Sequence, residues 1–238
     1  MKLSMFFFLL LFSACSFAQK EHVITDNHVE ARSVDPFDAL VVSGPFTVHY
    51  SNGSAHQLAV SASDRNLRNR IVTKVVGRQL EISLEGSSWN KWNGKSNYII
   101  YVSSPELHKI VASGAVDFDV HDQLMSCDLK LIFSGASDFS GDINVAKLDA
   151  VFSGGSDLKA KGKVDQLKLT MSGASDCNCL DLMVENAEMV ASGASDIKIS
   201  INKTIKATAS GASDIEYRGS PSKVETKSWN GSVTPKGS

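Results

Sequence analysis

The sequence is poor in several features that many proteins depend on. Its 238 residues include only five prolines and four cysteines, and no long low-complexity run divides the chain. The absence of a linker indicates one continuous domain, of a size that can bury an ordinary β-rich core. Lys and Arg number 24 against 26 Asp and Glu, so the net charge gives no electrostatic basis for binding nucleic acid.

A single apolar run, Met5–Phe12, lies near the start and is too short to span a bilayer as a helix. Its position predicts an export signal over residues 1–18. Two processing sites remain open: signal-peptidase cleavage after residues 16–18, or lipobox-like processing of residues 11–15 that would leave a lipid anchor on Cys15. Both predict an exported protein, located in the periplasm, at the outer membrane surface or secreted. A membrane contact is expected only through that anchor.

A pentapeptide repeated six times organises the rest of the chain. Successive copies begin 21, 19, 19, 20 and 18 residues apart, and this near-constant period indicates a solenoid. The consensus is Ser-Gly-Ala-Ser-Asp, from which Val116 and Gly155 are the two departures. The copies begin at Ser113, Ser134, Ser153, Ser172, Ser192 and Ser210.

The residues around the pentapeptide alternate with a period of two. Positions one, three and five before each initial Ser are apolar except for His108, whereas the position four before it is charged in every copy. This pattern is typical of a strand with one solvated face, and the apolar residue after each pentapeptide indicates a second strand. About 19 residues are too few for a helix plus two strands, and the leucine-rich repeat frame is missing. The sequence therefore predicts an all-β fold, a parallel β-helix.

The predicted solenoid extends beyond the regular repeats. We expect a lead-in over residues 19–35, one solenoid domain over 36–220 with regular rungs at about 105–218, and a closing strand and tail over 221–238. Ser43-Gly44 marks the corner of a divergent first rung, and atypical terminal rungs commonly cap a solenoid. Strands in this divergent part are predicted at Gln57–Ser61, Ile71–Val76, Gln79–Leu84 and Tyr98–Val102.

Two interpretations of the repeated corners remain open. The structural one is that Gly supplies a positive φ while the Ser and Asp side chains satisfy turn amides. The alternative is a row of stacked oxygens that binds a saccharide or Ca²⁺, although Ca²⁺ prefers six to eight oxygen ligands and one Asp per rung supplies few of them. The candidate calcium ligands are Asp138, Asp157, Asp176, Asp196 and Asp214.

A polar segment over residues 87–97 departs from the repeat and holds two of the three tryptophans. Indole rings in such a loop can stack on sugar rings while neighbouring amides hold hydroxyl groups. The alternative is that both indoles cover the open end of the solenoid. Trp229 is able to join either arrangement. The candidate ligand-binding residues are Trp89, Asn90, Trp92 and Asn93.

The cysteines are predicted to be free thiols. Cys177 and Cys179 alternate on one strand face in columns that are apolar in the other repeats, which favours buried thiols over metal ligands. Cys127 lies two rungs away, about 10 Å at the usual strand spacing, and this distance is beyond disulfide reach.

The sequence shows no arrangement of residues that is typical of a catalytic site. The six histidines show no metal-ligand spacing, and the repeated Asp residues have no unique base beside them. A catalytic centre is a single asymmetric cluster, which six equal corners are not. We therefore expect that the protein is not an enzyme and that it needs no cofactor, with Ca²⁺ as the one candidate ion.

The opening Phe37–Phe46, Phe-Asp-Ala-Leu-Val-Val-Ser-Gly-Pro-Phe, together with the repeated corners, resembles the head GIN domain family. These are exported proteins abundant in Bacteroidetes that are also described as auto-transporter adhesins. The resemblance covers about residues 30–230 and implies a right-handed parallel β-helix in the cell envelope. It assigns no catalytic residues.

These observations together predict an exported, non-catalytic adhesin or binding module of the cell envelope. Its partner would be a glycan, a surface polymer or another protein. Two alternatives stay open, a purely structural envelope protein and a polysaccharide-acting enzyme.

Overall fold

The computed structural model describes residues 28–86 and 97–236, and it is a parallel β-solenoid of about six turns with rungs of about 19 residues, as predicted. The export signal predicted for residues 1–18 lies outside the described residues. The elements are β1 (Glu30–Arg32), β2 (Ala39–Asn52), β3 (Gln57–Ala62), α1 (Arg65–Arg68), β4 (Ile71–Val76), β5 (Gln79–Leu84), β6 (Tyr98–Ser104), β7 (Lys109–Gly135), β8 (Asp138–Gly154), β9 (Leu158–Gly173), β10 (Asp176–Gly193), β11 (Asp196–Gly211), β12 (Asp214–Arg218), β13 (Lys223–Trp229) and β14 (Ser232–Pro235).

Each regular rung contributes two strand segments and thereby two walls. We call the segments that lead to each Ser-Gly the pre-corner wall, and the segments that follow each pentapeptide the post-corner wall. On the pre-corner wall Leu131 pairs with Ala150, Ala150 with Leu169, and Leu169 with Met189, all in parallel register. Equivalent residues of successive repeats therefore lie one above another, which confirms the predicted columns.

Apolar side chains of both walls fill the interior. Phe133 and Phe152 stack with ring centroids 4.9 Å apart, and their column continues through Met171, Ala191 and Ala209. All five are almost fully buried, and their stacking places each side chain in contact with its neighbours in the rungs above and below. Burial of these continuous columns is what holds the solenoid together.

The N-terminal end departs from the regular coil. β2 pairs in parallel with β7 so that Ser43 lies beside Ser113 and Gly44 beside Gly114, which confirms the divergent rung. β2 also pairs in parallel with β5 and β6, whereas the pairs β1 with β3, β3 with β6, and β4 with β5 are antiparallel. The four strands predicted in this part are present, with β3 and β6 extended by one and two residues. The short helix α1, capped by Asp64, was not predicted.

The C-terminal end is more ordered than the sequence predicted. β13 pairs with β11, as a closing strand would, but β14 then adds a further strand to β12 where a tail was expected. Val233 pairs with Ile215 and packs against the core, and the Lys236 amide donates to the Tyr217 carbonyl at 2.7 Å. The partial burial of the Val233 side chain over the last rung explains why the segment forms a strand.

Candidate binding surfaces

The second Ser, present in five of the six pentapeptides, points into the core. Ser137 Oγ donates to the Ser134 carbonyl at 3.0 Å and accepts from the Val116 amide of the preceding rung at 3.2 Å. The next rung repeats both contacts through Ser156. A buried hydroxyl needs such partners, and here it also satisfies backbone groups that the turn removes from the ladder. The fully buried members are Ser137, Ser156, Ser175, Ser195 and Ser213.

The corner glycines pack against one another through their backbones. Gly135 has a φ of +87°, and a Cβ at this position would lie 2.5 Å from the Gly114 carbonyl oxygen. That carbonyl accepts from the Ala136 amide at 2.8 Å. The corner therefore requires glycine for both its backbone conformation and the close approach of the rung below. These contacts support the structural interpretation of the repeated motif.

The Asp residues of the corners form an aligned column. Asp117 pairs with Asp138, and Asp196 pairs with both Asp176 and Asp214. Burial, followed by the nearby carboxylates of Asp138 and Asp119, raises the pKa of Asp117 above its ordinary value. Asp138 Oδ1 accepts from the Asp157 amide at 3.0 Å. At least part of this column thus stabilises the backbone of the next corner.

Calcium binding by this column stays a prediction. In residues 28–86 and 97–236, no group of three or more His, Cys, Asp or Glu side chains is arranged to hold a metal ion. Adjacent carboxylates in the column belong to different rungs, and Asp157 Oδ1 is engaged by the Asp176 amide at 3.2 Å.

The outer surface of the pre-corner wall carries a row of β-branched side chains. Ion pairs between neighbouring rungs run beside it, with Lys130 Nζ 3.7 Å from Asp149 Oδ2 and Lys206 Nζ 2.7 Å from Glu188 Oε1. The initial Ser residues of the corners form the row on the other side. Because these charges pair with one another, the surface has little net charge. It combines the half-exposed β-branched row with the row of Ser hydroxyl groups. The β-branched row consists of Val41, Val111, Ile132, Val151, Thr170, Val190 and Thr208.

An exposed tryptophan lies at the C-terminal end of this surface. Trp229 ends β13, directly after Ser228, which pairs with Ala209, and 61% of Trp229 is exposed. Asn230, the next residue, bridges to Ser210 of the serine row. Trp229 was not among the candidate ligand-binding residues predicted from the sequence, but its side chain is the largest exposed apolar one among the described residues. Trp89, Asn90, Trp92 and Asn93 lie outside the described residues, so their role stays a prediction.

A second polar cluster lies on the outer surface of the post-corner wall. His121 Nε2 is 2.8 Å from His49 Nδ1, and His49 Nδ1 is 3.9 Å from Asp119 Oδ2. The Tyr101 ring stacks on His49 with centroids 5.4 Å apart. Burial, followed by the nearby His121, lowers the pKa of His49, whereas Asp119 raises it by a smaller amount.

This cluster was not predicted from the sequence, because His49 and His121 are 72 residues apart. Spacing along the chain therefore carries no sign of it. Aligning Ser43 with Ser113 would have found it, since His49 and Asp119 then share one position and His121 follows two residues later on the same face.

The three described cysteines are free thiols, as predicted. Cys177 and Cys179 are buried in the core with their sulfur atoms 3.2 Å apart. Their mutual hydrogen bond, followed by burial, raises the pKa of Cys177 well above its ordinary value, so the thiol form persists at neutral pH. Cys127 is exposed.

Comparison with known proteins agrees with this architecture. A family model described as "Putative auto-transporter adhesin, head GIN domain" matches residues 36–221. The chain belongs to the head GIN domain family. This confirms the resemblance carried by the Phe37–Phe46 segment and the repeated corners.

Several solved structures share this fold. A "putative adhesin" from Bacteroides fragilis superposes with a TM-score of 0.79 at 22% identity, over 87% of this chain and 94% of that one. A "putative lipid binding protein" from Parabacteroides distasonis gives 0.67 at 19% identity, over 89% and 98%. A "putative adhesin" from Parabacteroides merdae gives 0.64 at 18%, over 88% and 95%. At these identities the likeness shows the fold alone. No curated protein sequence matches the chain.

Within the described ranges, no helix has the length and apolar character needed to cross a membrane.

Proposed function

We propose that this head GIN domain protein is an exported, non-catalytic binding module of the cell envelope whose partner is a glycan or another surface polymer. The observation that carries the proposal is the outer surface of the pre-corner wall. It offers a continuous β-branched row, a parallel row of Ser hydroxyls and an exposed indole at one end. The family's description as an adhesin supports a binding role.

The chemistry of this surface suits a carbohydrate chain better than a charged polymer. Apolar side chains and an indole pack against the C–H faces of sugar rings, and hydroxyl groups exchange hydrogen bonds with sugar hydroxyls. The inter-rung ion pairs of Lys130 with Asp149 and Lys206 with Glu188 leave little unpaired charge to attract a polyanion. A surface that repeats once per rung also matches a ligand that repeats along its own length.

The corners themselves contribute the frame of this surface and not its binding groups. The inner Ser hydroxyls are buried, and the Gly column is closed by backbone contacts. Ligand contacts therefore fall to the outward rows and to Trp229, and we include Trp89 and Trp92 among the proposed contacts. This division of roles keeps the binding surface shallow and extended.

Export by the signal at residues 1–18 is part of the proposal. The final compartment depends on which processing site is used, because only processing at Cys15 attaches a lipid. Intact-mass measurement of the purified protein from its native host distinguishes a free N-terminus at Gln19 from an acylated Cys15. An unprocessed Met1 in that measurement would contradict export.

A glycan array tests the binding function directly. The array carries neutral and acidic bacterial surface polysaccharides, and the wild-type protein is compared with Trp229→Ala and with the double variant Trp89→Ala/Trp92→Ala. We expect wild-type binding to a subset of neutral glycans and its loss in at least one of the two variants. Val76→Ala, which alters an exposed apolar side chain at the opposite end, serves as the matched control and should bind normally.

Three results would contradict the proposal. Absence of wild-type binding to every glycan on the array, with a native unfolding transition, would favour a purely structural envelope protein. Glycan binding that survives in both Trp variants would show that the indoles are not part of the binding site. Release of soluble fragments from an acidic polysaccharide would favour an enzyme.

A further inference from the structure

We propose that His49 and His121 form a binding site for a divalent transition-metal ion, with Asp119 as the nearby counter-charge. The two imidazoles lie on the outer surface of the post-corner wall, a different wall from the one that carries the Ser and β-branched rows. The proposal does not depend on glycan binding.

Strand register creates the site. His49 of β2 lies directly beside Asp119 of β7, and His121 follows Asp119 by two residues. Side chains at i and i+2 of one strand project from the same face, and a neighbour on the adjacent strand completes a triangle. Imidazole nitrogens are favoured ligands for Zn²⁺, Cu²⁺ and Ni²⁺, whereas Ca²⁺ and Mg²⁺ prefer oxygen.

The distances fit two-point coordination. Metal–nitrogen bonds of about 2.0–2.1 Å place two ligand nitrogens roughly 2.8–3.4 Å apart for bond angles between 90° and tetrahedral. His121 Nε2 and His49 Nδ1 are 2.8 Å apart, so a small opening of the pair admits the ion. Asp119 Oδ2, 3.9 Å from His49 Nδ1, is close enough to add negative charge. Because the described residues hold no ready three-ligand group, water supplies the remaining ligands.

The hydrogen bond between the two imidazoles of His49 and His121 is compatible with metal binding. A hydrogen bond between two imidazoles requires that one nitrogen donate and the other accept. When the ion binds, the ring that donates this hydrogen bond changes tautomer and carries its proton on its other nitrogen. Both rings stay neutral, no net proton is released, and both facing nitrogens use their lone pairs for the metal.

Neighbouring residues hold the cluster in place. The Tyr101 ring stacks on His49 and restricts its rotation. Ser140 Oγ donates to Asp119 Oδ1, which leaves Oδ2 turned toward His49. Partners of this kind orient ligands at metal sites, and their loss typically weakens metal affinity about 10–100-fold.

Calorimetric titration of the untagged, chelator-stripped protein with NiCl₂, ZnCl₂ and CuCl₂ tests the proposal. To exclude the N-terminal histidines, the experiment uses a background with His22→Asn and His28→Asn. We expect one equivalent of ion to bind, with Cu²⁺ bound more tightly than Ni²⁺ and with CaCl₂ giving no heat at this site. His121→Asn should weaken binding at least tenfold, and Asp119→Asn should weaken it by a smaller factor.

His108→Asn is the matched control, because His108 is an exposed histidine whose ring lies 3.5 Å from Glu106. It should leave the affinity unchanged. In the Cu²⁺ complex, electron paramagnetic resonance should show coupling to two nitrogens, and His49→Gln should reduce this to one. Unfolding curves without metal confirm that each variant folds.

Either of two results would overturn the proposal. One is the absence of stoichiometric binding by the folded background protein. The other is binding that His121→Asn and His49→Gln leave unchanged, or that His108→Asn weakens equally, since this would locate the ion elsewhere.

Discussion

Ser156 is fully buried and donates a hydrogen bond of 3.0 Å to the carbonyl of Ser153, three residues earlier in the same corner. Its hydroxyl also accepts from the Ser137 amide of the preceding rung at 3.2 Å. One side chain therefore closes its own turn and joins two rungs. This double role explains why a polar residue recurs in the core at this place.

Ser156→Ala should destabilise the protein by about 1–3 kcal/mol, because it leaves a buried amide and a buried carbonyl without their partner. The measurement is the free energy of unfolding in urea. Ser153→Ala is the matched control, since the Ser153 hydroxyl makes only a long contact of 3.5 Å to the Phe133 carbonyl. Ser153→Ala should lower the free energy of unfolding by less than half as much as Ser156→Ala does. Equal losses would contradict the role assigned to the buried column.

Two adjacent glycines should respond in opposite ways to the same change. Gly154 has a φ of +88°, and a Cβ there would meet the Gly135 carbonyl oxygen, so Gly154→Ala should cost about 3 kcal/mol or more. Gly155 occupies the position that is Ala in the other five copies, and its Cβ would have only the Ala174 carbonyl oxygen nearby, at 3.9 Å. Gly155→Ala should be neutral or stabilise by about 0.4–1 kcal/mol.

Urea unfolding of both Gly variants under identical conditions checks this pair. A cost for Gly155→Ala that approaches that of Gly154→Ala would mean that the corner backbone differs from the one described. Equal tolerance of both changes would do the same.

The inward columns were predictable because their signal is repeated. Leu131, Ala150, Leu169 and Met189 each stand at the same distance from a recognisable corner, so six weak alternation patterns reinforce one another. A period of about 19 residues then leaves few folds that can stack them. The parallel register confirms that inference residue by residue.

Features that occur once in the chain were not predictable in the same way. The His49–His121 contact depends on the register between a divergent rung and a regular one, which no local pattern reports. β14 depends on Val233 reaching the open end of the core beside Ile215. The short segment around Val233 has the polar composition of a tail, and only the uncovered last rung makes its burial favourable.

Calcium binding by the corner Asp column is tested by melting temperature. If the column takes up Ca²⁺, millimolar CaCl₂ should raise the melting temperature and excess chelator should reverse the rise, because a ligand that binds only the native state stabilises it. Asp176→Asn, which removes charge from the middle of the column, should abolish the effect. An unchanged melting temperature on adding either reagent would remove Ca²⁺ from the corners. MgCl₂ at the same ionic strength is the control.

The raised pKa of Asp117 predicts the direction in which the free energy of unfolding changes with pH. Burial and the carboxylates of Asp138 and Asp119 raise this pKa in the folded protein, so the stability associated with protonated Asp117 is complete below the ordinary Asp pKa, about 3.9. That stability is lost as the pH rises through the folded pKa. Asp117→Asn should therefore stabilise the protein above this window and not below it, by less than about 1 kcal/mol because the group is largely solvated.

Glu188→Gln should change the pH dependence of the free energy of unfolding in the opposite direction. The hydrogen bond from Lys206, at 2.7 Å, lowers the pKa of Glu188, so its contribution is present above the ordinary Glu pKa and is lost as the pH falls through the folded one. Urea unfolding between pH 3 and pH 7 should show Asp117→Asn gaining on the wild type as the pH rises, while Glu188→Gln falls behind it. Parallel curves for the two variants would contradict the charge environments assigned to these carboxylates.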